Sequence, residues 1–144
     1  MLLIVLFAHS VVRWAVLACA AWAAFAALGG LRGRRAFTRK ARVPGVALAA
    51  VADVQLLLGL SLWLWLSPHA VTSGGRSHYW TFVHPLAGIA VVALVHVGSV
   101  KARRTLDDAG RWRTSFQFSL AALIVAVLAV PWPLFGMGRA LLPF

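Results

Sequence analysis

Four long apolar runs, separated by short polar or basic stretches, organise this chain. They cover about residues 2–28, 44–66, 81–100 and 115–130. The first stops at Gly29-Gly30, the second at Ser67-Pro68 and the fourth at Pro131-Trp132-Pro133. Each run is close to the roughly 20 residues with which a helix crosses about 30 Å of hydrocarbon. Glycine, proline or charge at the ends is the expected helix punctuation. The runs are apolar on nearly every side and lack the alternation of a membrane strand. Lipid offers the backbone no hydrogen-bond partner, so such runs must be helical. Short connections make neighbours antiparallel. The expected fold is therefore all-α, an integral-membrane up-down four-helix bundle forming a single transmembrane domain over residues 1–144.

Composition agrees. Hydrophobic residues make up 62% of the chain, charged residues 12%, and mean hydropathy is +0.87. A soluble domain carries about 25% charged residues. A soluble globular domain, a disordered tail and a secreted disulfide scaffold are excluded, the last because Cys19 is the only cysteine. Cys19 itself reads as a small packing residue.

Net charge is +11, and its distribution decides what it means. Arg32, Arg34, Arg35, Arg39, Lys40 and Arg42 form one block; Lys101, Arg103, Arg104, Arg111 and Arg113 form a second. Both lie between apolar runs, where untranslocated loops collect lysine and arginine. The expectation is a multi-pass protein of the bacterial inner membrane with loops 31–43 and 101–114 in the cytoplasm and both termini outside. Trp63, Trp65, Trp80 and Trp132 then mark the outer interface and Trp112 the inner one. The lipid bilayer, with its anionic headgroups, is the expected partner of this charge, and nucleic acid is not. Ala18-Cys19-Ala20 resembles a signal-peptide cleavage site, but basic residues follow the first run and none precedes it, so the run is expected to remain as a helix.

Polar groups within the spans are costly, which makes each a candidate for function. They are His9 and Arg13 in the first span, Asp53 and Gln55 in the second, His84 and His96 in the third, and Gln117 in the fourth. At a rise of about 1.5 Å per residue, His9 lies about 33 Å, Arg13 about 27 Å and His84 about 25 Å from the basic edge. By the same count Asp53 lies about 15 Å and His96 about 8 Å from it. His9, Arg13 and His84 thus share the outer half, with His69 and His78 in the outer loop.

Two histidines on different helices can ligate both faces of a b-type haem. His9 and His84 are the candidates, with Gly88 one turn below His84 leaving room and Arg13 facing a propionate. The alternatives are local hydrogen bonds from each histidine, or a copper or zinc site from His9, His69, His78 and His84. Asp53 is expected to form a buried pair with Arg13, since a lone charge there is expensive. His96 reads as locally hydrogen-bonded, and Gly59 and Gly88 as points of close helix contact. The motifs of phosphate loops, covalent haem attachment, zinc proteases and serine nucleophiles are missing.

The segments His9-Ser10-Val11-Val12-Arg13-Trp14, Gln55-Leu56-Leu57-Leu58-Gly59-Leu60, His84-Pro85 and Pro131-Trp132-Pro133 resemble the small four-helix bacterial membrane proteins often labelled cytochrome b-like. The resemblance spans most of the chain and implies haem ligation at His9 and His84. The chain departs from that pattern at Asp53, where many relatives have histidine, and at Val83, where many have glutamate.

The leading expectation is an inner-membrane protein carrying one haem b near its outer face, exchanging electrons with quinone or a periplasmic carrier. The alternatives are a cofactor-free accessory subunit of a larger membrane complex and a small proton or ion pathway through Arg13, Asp53 and His96.

Overall fold

The computed structural model describes residues 2–72 and 79–130, with the side chains of 66–72 and 80 outside the description. Four helices occupy them: α1 (Leu2–Arg32), α2 (Val43–Thr72), α3 (His84–Arg104) and α4 (Asp108–Ala129). A 3-10 turn at Lys40–Arg42 leads into α2, and a π turn at Tyr79–Val83 leads into α3. All four are long and apolar enough to span a membrane. At 31 and 30 residues, α1 and α2 exceed that need.

The helices pack in a ring, α1 against α2, α2 against α3, α3 against α4 and α4 against α1. This sets α1 diagonally opposite α3. The start of α1 meets the middle of α2, where His9 lies against Gln55 and Gly59. The start of α3 meets the end of α4, through His84 and Ala129. The direction therefore alternates round the ring, the up-down arrangement expected. Both basic blocks lie at one end of the bundle, the basic end. The α2–α3 seam is the least extensive of the four contacts.

Alanine predominates in the interior, with Leu48, Val91 and Val95 among it, and many of the largest side chains lie outside. Ala20, Ala23, Ala24 and Ala27 of α1 are buried, as are Ala52, Ala102, Ala122 and Ala126. Leu3, Phe25, Leu57, Leu86 and Leu128 are more than 60% exposed. Helices in lipid gain nothing from hiding leucine, but gain dispersion contacts when small residues let backbones approach. This inside-out distribution is what a bilayer selects.

Several boundaries differ from those expected. Helix α1 runs through Gly29-Gly30 to Arg32 because Gly30 is a packing residue: a Cβ there would overlap the Trp112 indole of α4. Trp112 is held by Nε1 donating to the Arg35 carbonyl at 2.7 Å and by an edge contact with Phe37 at 4.7 Å. The helix ends a turn later, where Arg35 N–H bonds the Gly30 carbonyl (3.0 Å) and Arg34 N–H bonds that of Leu31 (3.3 Å). Arg34 adopts φ +47°, the left-handed conformation of a Schellman stop. Helix α2 likewise passes through Ser67-Pro68 to Thr72. The second basic stretch is almost wholly helical. Lys101, Arg103 and Arg104 finish α3. Helix α4 opens at Asp108 rather than near 115, with Asp107 as N-cap accepting from Gly110 N–H at 2.7 Å. Only residues 105–107 connect the two.

Candidate imidazole site

The end opposite the basic blocks gathers the first two histidines of the spans. His9 on α1 and His84 on α3 meet across the diagonal of the bundle, with ring centres 6.1 Å apart and planes at 74°. Helix α2 supplies the seat of His9. The Gln55 amide nitrogen donates to His9 Nε2 at 3.3 Å. One turn further along α2, Gly59 lies flush against the ring: a Cβ there would stand 3.0 Å from His9 Cε1. Gln55 Oε1 is buried and has no hydrogen-bond partner among the described residues.

Helix α4 fixes His84. Its Nδ1 donates to the Ala129 carbonyl at 2.9 Å, and the Tyr79 hydroxyl donates to the same oxygen at 2.7 Å. That carbonyl is in want of donors for a covalent reason. The last carbonyls of a helix lack intrahelical partners, and the residue four positions on is Pro133, which has no N–H to offer. Tyr79 comes from the π turn that opens α3, and its ring lies 5.9 Å from that of His84. Trp63 of α2 ties down the same turn by donating to the Thr81 carbonyl at 3.1 Å.

The other polar residues lie elsewhere than expected. Asp53 pairs not with Arg13 but with His96 of α3, whose Nε2 donates to the two carboxylate oxygens at 2.9 and 3.2 Å. Depth explains this: Asp53 and His96 differ by about 7 Å along the bundle, Asp53 and Arg13 by about 12 Å. The Arg13 guanidinium lies over the Trp14 ring, 5.2 Å from its centre. The open side of Gly88 faces the α2 side chain Leu56, which a Cβ would meet at 3.7 Å. Gly88 therefore serves the α2–α3 contact. The His69 side chain and His78 lie outside the described residues, as do Arg139 and the Pro131-Trp132-Pro133 segment. Among the described residues no three histidine, cysteine or acidic side chains cluster as a metal site would require. Sequence reasoning missed Gln55 as the partner of His9 and Tyr79 as the neighbour of His84.

Chemically, the site offers two imidazoles aimed at one region from opposite helices. His84 has its Nδ1 committed to a carbonyl, the outer hydrogen bond that fixes the orientation of metal-ligating histidines. No protein-family model, curated protein or solved structure matches this chain.

Proposed function

We propose that the chain is a small inner-membrane protein of the cytochrome b type that takes part in electron transfer, with His9 and His84 as the residues that would hold one haem b. The observation that carries this reading is the meeting of the two imidazoles, 6.1 Å between ring centres, across the bundle.

The donor set suits the group. Imidazole nitrogen is the donor that haem iron takes from histidine, and two imidazoles stand together here. His84 turns Nε2 to coordination because Nδ1 donates to Ala129. His9 would offer Nε2 if the Gln55 amide turned aside, a rotation of a flexible side chain. Arg13, one turn from His9 towards the basic end, would supply positive charge to a propionate. Bound there, haem supplies one-electron chemistry with quinone or a periplasmic carrier.

A reduced-minus-oxidised absorbance spectrum tests the reading on protein expressed with ample haem. A Soret band with low-spin features is expected, lost in His9→Ala and in His84→Ala and kept in His96→Ala. Wild-type protein without Soret absorbance rejects it.

A second reading, an accessory subunit of a larger membrane complex, is favoured by the Asp53–His96 pair. Its two side chains are 45% and 53% exposed on the bundle surface, at a depth where lipid would otherwise face them. A neighbouring chain covering that pair would co-purify in mild detergent.

A further inference from the structure

The basic end of the bundle holds a cavity of about 210 Å³, far from the imidazole pair and bounded by all four helices. Its walls are mostly apolar, with Leu48 and Val95 among them. Two arginines line it: Arg42, just before α2, and Arg103, in the last turn of α3. Both are exposed, so they stand at its rim. They flank the α2–α3 seam, where the helices are least tightly joined. Ser115 and Ser119, one turn apart on α4, line the wall.

The charges at the rim are not neutralised by acid. No aspartate lines the cavity. Asp107 is spent on the Gly110 N–H, and Asp108 lies 3.8 Å from Arg111. Arg103 is braced, with Nη2 donating to the Ser99 hydroxyl at 3.1 Å and Nε to the Ser99 carbonyl at 3.3 Å. The Arg42 guanidinium makes no ion pair among the described residues. Gly45, in the first turn of α2, also lines the cavity, and a Cβ there would touch nothing within 4 Å.

Cations at the rim, hydroxyl donors within and an apolar floor match one kind of molecule. We propose that this cavity binds an anionic phospholipid, its phosphate held by Arg42 and Arg103, its ester carbonyls by Ser115 and Ser119, and an acyl chain lying along the α2–α3 seam. This differs from the diffuse attraction of a basic surface for anionic membranes, which depends on charge number and is screened within about 10 Å at 0.1 M salt. Arginine suits the task because its planar fork binds two phosphate oxygens at once.

The test uses the full chain purified in detergent, with phosphatidylglycerol as probe and binding followed by native mass spectrometry and by thermal shift. One phosphatidylglycerol per chain is expected to bind at least about tenfold more tightly than phosphatidylcholine, the discrimination of one charge-assisted contact. Arg42→Gln and Arg103→Gln should each lose about that factor. Gly45→Leu, which adds bulk at the cavity lining, should weaken binding. Arg34→Gln and Arg113→Gln, which do not line the cavity, should leave it unchanged. Equal binding of phosphatidylcholine, or equal losses at Arg34 and Arg113, overturns the proposal in favour of non-specific adsorption. Displacement of the lipid by equimolar inorganic phosphate overturns it in favour of a free-phosphate site. Arg42 is a surface residue, so its variant tests the idea even if Gly45→Leu fails to fold.

Discussion

His96 Nε2 donates to both carboxylate oxygens of Asp53, at 2.9 and 3.2 Å, and so joins α2 to α3 near mid-bundle. It is a polar tie across the seam that has least contact otherwise. Asp53→Asn and His96→Ala should therefore be non-additive, with a coupling of about 0.5–3 kcal/mol in a double-mutant cycle. Thermal or denaturant unfolding in detergent measures it. Arg13→Leu should show no such coupling to Asp53→Asn, and additivity between Asp53 and His96 would mean that the tie is idle.

Gly30 and Trp112 allow a paired comparison. The indole is clamped by Arg35 and Phe37 and has nowhere to retreat. Gly30→Ala should destabilise the bundle by about 1–3 kcal/mol, the range for overpacking. At Gly29 a Cβ meets nothing within 4 Å. Gly29→Ala should stabilise α1 by about 0.5–1 kcal/mol through helix propensity. Melting temperatures of the two variants should move in opposite directions.

Arg34 occupies the left-handed position of a Schellman stop, where glycine carries no Cβ penalty. Arg34→Gly should raise stability by up to about 1 kcal/mol. The size of the gain is limited because glycine also enlarges the entropy of the unfolded chain. A lowered melting temperature would count against this account of how α1 ends.

Tyr79 and His84 share one acceptor, the Ala129 carbonyl. Tyr79→Phe should cost about 0.5–1.5 kcal/mol, since His84 still satisfies that oxygen. Combining it with His84→Ala strands the carbonyl, and the double variant should lose more than the sum of the two. Simple additivity in the unfolding data would show that the oxygen finds another donor.

The four helices were legible in the sequence because lipid imposes a length and a composition on anything that crosses it. Their ends were less so. Gly29-Gly30 reads as a stop, yet Gly30 is there for the bulk of Trp112, a residue 82 positions away that no local pattern reveals. The arginines near 111–113 read as a loop, although a helix outside hydrocarbon carries charge freely, and Asp107 was available as its cap.

The polar residues divide in the same way. Depth along the axis placed His9 and His84 in the same outer half but about 8 Å apart, yet they meet; helix order round the ring, which decides that they face across a diagonal, was open. For Asp53 the same depths favour His96 over Arg13, whereas opposite formal charge alone points to Arg13. The Ala129 carbonyl left a trace in Pro133, four residues on, which identifies an oxygen lacking its usual donor but not which side chain comes to it.

The connection between α3 and α4 is three residues long, 105–107, and the helices it joins share the bundle's most extensive contact. So short a tether holds them side by side. During biosynthesis α3 and α4 should therefore enter the bilayer together as a preassembled hairpin. The assembly step left over is the closure of that hairpin against the earlier pair α1 and α2. Lengthening the 105–107 link with glycine and serine should slow that step, while the finished bundle keeps its form.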